Sequence, residues 1–166
     1  DGTIDEVEAE RMLDYAIESG VTYIDTAYPY HDGESEPFVG RVLKKYKRED
    51  FYLATKLPMF KIDSLEQAKE ILEEQMKRLD VDYVDFYLLH ALNKDTWKKV
   101  IDLNIIPYCE ELKKQGRIKN FGFSFHDDYE VFEEIINYRD WDFCQIQLNY
   151  IDTDIQAGMK GYKLKI

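Results

Sequence analysis

Residues 51–90 read FYLATKLPMFKIDSLEQAKEILEEQMKRLDVDYVDFYLLH. The stretch opens on FYLATKL (51–57) and closes on YVDFYLLH (83–90). Both runs are short, rich in β-branched and aromatic residues, and mostly apolar on both faces, the pattern of parallel strands covered by helices. Between them, Leu65, Ala68, Ile71, Leu72, Gln75, Met76 and Leu79 fall on one face of a helix. Ser64, with Gln67 three residues on, has the spacing of a capping box at its start. This is a strand–helix–strand unit. Parallel strands require a crossover of this length, and such crossovers are right-handed almost without exception.

Working outward, the same alternation recurs. VTYIDTA (21–27), IKNFGFSF (118–125) and FCQIQLNY (143–150) read as further strands. An N-terminal helix is predicted with Val7, Met12, Leu13, Ala16 and Ile17 on one face, opened by Thr3 with Glu6 and ended at Gly20. A second helix carries Phe38, Val39, Val42, Leu43 and Tyr46. One long helix is predicted from about Thr96 to Gln115, stopping at Gly116, and another carries Tyr129, Phe132, Ile135 and Ile136. A further helical segment begins around IQAGMKGYKL (155–164). Two architectures use this alternation: an open doubly wound sheet and a closed (β/α)8 barrel. A barrel takes about 250 residues, so 166 residues hold five or six of its units. The expectation is one α/β domain over residues 1–166, an incomplete barrel of about five parallel strands. Its first strand and last strands have no counterpart.

Composition narrows the function classes. Hydrophobic residues make up 45% of the chain, which excludes disorder. A formal charge of -12 would repel phosphate backbones and anionic membrane surfaces, so no nucleic acid and no membrane partner is expected. Cys109 and Cys144 lie too far apart for a CxxC pair and read as core thiols, with no metal site. The absence of a disulfide framework favours a cytoplasmic location. No run approaches the ~20 apolar residues that cross a bilayer, and the first residues lack the pattern of a signal peptide.

The informative residues are the polar ones in the apolar strands. Asp25 closes VTYID, Lys56 closes FYLATK, His90 closes DFYLLH and Ser124 closes FGFS. With parallel strands, all four converge on one mouth at the C-terminal ends, where barrels and open α/β sheets alike carry their active sites. A buried lysine must pair or lose its charge, and Asp25 comes from the adjacent strand. Tyr30 lies five residues beyond Asp25. A free phenol, with a pKa of about 10, is a poor acid near neutrality, and a neighbouring ammonium favours its phenolate. With His90 donating a hydrogen bond to a substrate oxygen, these groups could protonate a carbonyl while a cofactor delivers hydride.

The stretches GVTYIDTAYPYHDGESEPFVGRVLK, REDFYLATKLP, LEEQMKRLDVDYVDFYLLH, GRIKNFGFSFH and FCQIQLNY resemble the aldo/keto reductase family, in order and spacing. The resemblance implies a (β/α)8 barrel, NADPH or NADH as hydride donor, a small-molecule carbonyl substrate, and a tetrad formed by Asp25, Tyr30, Lys56 and His90. It also implies nicotinamide contacts from Ser124 and Gln145, with Asp25 beside the cofactor. The family's common Ser-Asn pair reads Ser124-Phe125 here, which leaves the Asn role unfilled. His126 could partly fill it, though a solvent-facing loop position is the preferred reading; His31 is expected in the loop after the first strand, with a place near the pocket left open, and Tyr28 as a pocket wall or packing residue. TAYPYHDGESE and GFSFHD also resemble a bacterial and archaeal branch that often carries an iron–sulfur domain, which only a longer parent protein could hold.

Gly116, Gly122, Gly158 and Gly161 form no phosphate loop, and the family's last strands, which grip the rest of the nucleotide, have no counterpart. The polypeptide alone is therefore expected to bind NADPH weakly. Two other readings stay open on the sequence: a cofactor-sensing regulatory subunit, and an inactive fragment whose open barrel edges favour self-association.

Overall fold

A computed structural model describes residues 3–147. Five strands form one sheet in the order β1 (Tyr23–Asp25), β2 (Tyr52–Leu57), β3 (Val84–Leu92), β4 (Ile118–Phe125) and β5 (Phe143–Gln145). Every neighbouring pair is parallel, and chain order equals spatial order. This is the strand arrangement of a (β/α)8 barrel, of which five strands are described here. Residues 148–150 of the fifth strand run and the helical segment expected at 155–164 lie outside the described residues.

Among the described residues, helix α1 (Glu6–Glu18) precedes the sheet and five more link its strands: α2 (Ser35–Leu43), α3 (Leu65–Leu79), α4 (Lys94–Asp102), α5 (Ile105–Lys114) and α6 (Tyr129–Tyr138). The core lies between sheet and helices. Leu53 and Leu57 of β2 are fully buried, as are Ala68, Leu72 and Leu79 of α3. Each such aliphatic side chain contributes roughly 1.5–3 kcal/mol relative to exposure. None of the described helices is long and apolar enough to cross a membrane.

Alternation along the strands builds the opposite, inner face. Near the strand starts it carries Tyr23, Tyr52, Phe86 and Phe143, whose rings meet edge to face at 5.1–6.1 Å. Two residues further on in β1, and four in β2 and β3, the same face presents Asp25, Lys56 and His90. Gly122 permits the fifth strand to pack, because a Cβ there would lie 2.3 Å from the Phe143 carbonyl oxygen. Gly40 plays the same part between α2 and the end of α3, where a Cβ would meet the Leu79 carbonyl at 2.6 Å.

Four expectations are corrected. Helix α1 is capped by Asp5, whose side chain accepts from the Glu8 amide, rather than by Thr3. Val7 and Met12 do not join its buried face; they are 83% and 59% exposed. At about 100° per residue they point well away from the Ala9, Leu13 and Ile17 stripe that packs on the core. The long helix after β3 is two helices, broken at Leu103 and Asn104. Pro107 has no N–H for the Leu103 carbonyl and its ring crowds that carbonyl, so the helix stops and restarts at Asn104 in the left-handed region (φ 55°). The capping box expected at Ser64 is shared between two residues. Ser64 accepts from the Gln67 amide, while the Gln67 side chain accepts from the Asp63 amide.

Candidate active site

The sheet delivers its polar residues to one end. Lys56 is 2% exposed, and its ammonium donates to Asp25 Oδ1 at 2.5 Å, to the Thr26 carbonyl at 2.9 Å and to the Tyr30 hydroxyl at 3.1 Å. Three acceptors satisfy its three N–H groups, which is what lets an ammonium persist at this depth. Asp25 comes from β1, directly beside β2, with Asp25 in register with Ala54. Tyr30 arrives from the loop after β1 by a tight turn, Tyr30–Gly33, in which His31 and Asp32 both have φ above 50°. Left-handed backbone at non-glycine residues is costly and is held in place by its surroundings. His31 is exposed, in that turn.

His90 completes the group from β3. Its ring centroid lies 5.7 Å from the Tyr30 ring at a 77° interplanar angle, and 5.9 Å from the Phe60 ring. Burial, assisted by the charges of Lys56 and His126, pushes the His90 imidazolium down to about 4. The ring is therefore neutral at physiological pH and offers one N–H donor. Its Nδ1 is buried without a partner among the described residues. Directly after it, Ala91 takes a left-handed backbone (φ 51°) where the β3–β4 register shifts.

Ser124, on β4, accepts from the Ala91 amide at 2.8 Å and keeps its own hydroxyl proton to donate. Gln145 closes β5 in register with Ser124. A cavity of about 230 Å³ is lined by Tyr30, Lys56, His90, Ser124, His126 and Gln145, with Ile146 and Gln147. His126 is thus a half-buried cavity residue, not the solvent-facing loop residue expected. The two tyrosines separate: the Tyr28 hydroxyl donates to Glu74 at 2.8 Å and its ring stacks under Arg78 at 4.2 Å, so Tyr28 packs away from Lys56. Among the described residues no cluster of His, Cys, Asp or Glu could hold a metal ion. Cys109 is buried, and burial raises its thiol well above the ordinary range.

Sequence reasoning missed a buried polar layer behind Lys56. Glu36 is fully buried and accepts from the Thr55 hydroxyl at 2.5 Å and the Gln75 amide at 2.8 Å. Gln75 also donates to the Lys56 carbonyl at 3.0 Å. One signal was present: Gln75 is the polar residue on the otherwise apolar stripe of α3.

The fold and the site together define a parallel α/β-barrel protein. It carries an acid–base cluster of carboxylate, phenol, ammonium and neutral imidazole at the strands' C-terminal ends. The family model for the aldo/keto reductase family matches residues 1–163, and the chain belongs to that family. It is 36% identical over 126 residues to the uncharacterized oxidoreductase YqkF of Bacillus subtilis, covering 70% of this chain and 40% of that protein. The holo form of an aldo-keto reductase from Bacillus halodurans superposes with a TM-score of 0.76 at 32% identity, covering 93% of this chain and 53% of that one. An aldo/keto reductase from Klebsiella pneumoniae, solved with NADP and acetate, gives a TM-score of 0.73 at 25% identity, covering 91% and 52%. The chain thus spans about half the length of these relatives, or less.

Proposed function

We propose that this chain carries the chemical centre of an enzyme that reduces aldehydes or ketones to alcohols with NADPH or NADH. The observation that carries the reading is the Lys56 ammonium shared between Asp25 and the Tyr30 hydroxyl, beside a neutral His90. A carbonyl oxygen seated between Tyr30 and His90 accepts a hydrogen bond from each. Tyr30 gives up its proton to that oxygen as it becomes an alkoxide. The Lys56 ammonium, already donating to the phenol oxygen, stabilises the phenolate left behind, and Asp25 holds the ammonium in place. General-acid assistance of this kind is worth roughly 10²–10⁴ in rate.

The bound nicotinamide nucleotide would supply the hydride, chemistry that no side chain of the site can provide. The cavity fits the carboxamide end of such a group. The free hydroxyl proton of Ser124 and the Gln145 amide line the same space as Tyr30, Lys56 and His90, and offer both donor and acceptor. NADP bound in the Klebsiella pneumoniae relative supports this choice of cofactor. The chain's two cysteines give no support to an iron–sulfur cluster.

The reaction class is tested with NADPH deuterated at the transferring nicotinamide carbon and a panel of small aldehydes. Deuterium at the carbinol carbon of the product is the expected result. Nucleotide binding without any labelled alcohol across the panel contradicts the reading.

A further inference from the structure

We propose that Glu36 is a positioning residue that holds Lys56 and the Tyr30 loop in register from behind the site. The inference rests on the catalytic reading of Lys56 and Tyr30 and extends it to a side chain that touches neither substrate nor cofactor.

The first turn of α2 grips three pieces of the site at once. Ser35 exchanges a hydrogen bond with the Thr26 hydroxyl at 2.8 Å, and the Thr26 carbonyl is one of the three acceptors of the Lys56 ammonium. Glu36 Oε1 accepts from Thr55, the residue before Lys56, and from Gln75 Nε2. The same Gln75 nitrogen donates to the Lys56 carbonyl, and the Gln75 side-chain oxygen accepts from the Tyr87 hydroxyl at 2.9 Å. Glu36 Oε2 faces Arg78 at 3.4 Å. Arg78 in turn reaches the Tyr28 carbonyl at 3.4 Å and stacks on the Tyr28 ring, two residues before Tyr30. One carboxylate therefore ties the end of β2 to the loop that carries the phenol.

A carboxylate is a poor choice for filling such a space. A buried charge must be matched by donors, and apolar replacements of buried ion pairs are often as stable or more so. What the carboxylate supplies is direction: every group aimed at it is a donor, so Thr55 and Gln75 are fixed in rotamer as well as position. The titratable and charged groups facing it are Arg78 from α3, Tyr28 from the loop and Tyr87 from β3, while Glu74 engages Arg78 on its far side. Burial raises the Glu36 carboxyl above its ordinary value despite the bonds from Thr55, Gln75 and Arg78.

The test reads the position of Lys56 without turnover. Pulsed acylation followed by mass spectrometry gives the labelling rate of Lys56 relative to Lys98, whose side chain is 74% exposed. Thiol labelling of the buried Cys109 on α5 reports global opening in the same sample. Glu36→Gln is expected to raise the Lys56/Lys98 ratio roughly tenfold, the effect of losing one charge-assisted hydrogen bond, with Cys109 unchanged. Thr55→Val, which removes one donor and keeps the shape, is expected to move the ratio the same way by less. In carbonyl reduction, Glu36→Gln should lower kcat and leave the KM for nucleotide unchanged. A Lys56/Lys98 ratio that stays at its original value in both variants overturns the proposal. So does a ratio that rises only together with Cys109 labelling. Loss of the catalytic reading would show separately, as turnover that survives Tyr30→Phe.

Discussion

The Lys56 ammonium lies 3.1 Å from the Tyr30 hydroxyl, although the two residues stand 26 apart in sequence and on different elements. Asp25 is the third member of that contact, at 2.5 Å from the same nitrogen. The ammonium is buried, while about a quarter of the Asp25 side chain reaches solvent. The lysine therefore depends on the carboxylate more than the reverse. Removing one partner of a buried pair strands the other, whereas removing both leaves a space that an apolar chain fills.

Asp25→Asn should consequently destabilise the fold by about 3 kcal/mol, the low end for a broken buried pair because Asp25 is partly solvated. Adding Lys56→Met to that variant should recover most of the loss. Urea denaturation of the two single variants and the double variant measures this. A double variant less stable than Asp25→Asn alone would contradict the account.

His90 makes stability depend on pH on the acid side. Its folded value lies near 4, below the ordinary histidine value of 6.5. Between those two values the unfolded chain binds the proton more readily than the folded one, so stability falls as pH drops from 6.5 towards 4. The full effect is on the order of 3 kcal/mol. His90→Gln should flatten this segment of the stability profile, read as denaturation midpoints at pH 7 and pH 4.5. Equal slopes in the two proteins would remove His90 as the cause.

Gly122→Ala should destabilise by about 1–3 kcal/mol or more, the range for overpacking. The added methyl meets the Phe143 backbone at 2.3 Å rather than a yielding side chain. The displaced strand is β5, so Gln145 should leave its register with Ser124. Thermal unfolding, with amide exchange across 143–145, checks both consequences.

Asn104→Val should cost about 1–2 kcal/mol, because a β-branched residue resists the left-handed backbone that divides α4 from α5. Asn104→Gly should be close to neutral. A Val variant of full stability would mean that the chain does not turn there as described.

The strands and the polar residues near their ends were legible in the sequence because both depend on local pattern. The runs around Ile24, Leu53, Leu88 and Phe123 are apolar on both faces, and Asp25, Lys56 and His90 interrupt them near strand ends. The break at Asn104 was less visible, since apolar periodicity runs on through both helices and only Pro107 marks the stop. Val7 and Met12 misled because hydrophobicity alone does not say which part of a helix perimeter meets the sheet. The Glu36 layer was hidden for another reason. Its partners Thr55, Gln75 and Tyr87 come from three elements, and no spacing along the chain reports that they meet.

The assignment of the proton donor is tested most directly by comparing Tyr30→Phe with Tyr28→Phe in aldehyde-dependent NADPH oxidation. Of the two tyrosines, Tyr30 is the one hydrogen-bonded to Lys56; the Tyr28 hydroxyl is bound to Glu74. Tyr30→Phe should lower kcat by roughly 10²–10⁴, while Tyr28→Phe retains most of the rate. Undiminished turnover in Tyr30→Phe, or an equal collapse in both variants, would contradict the account.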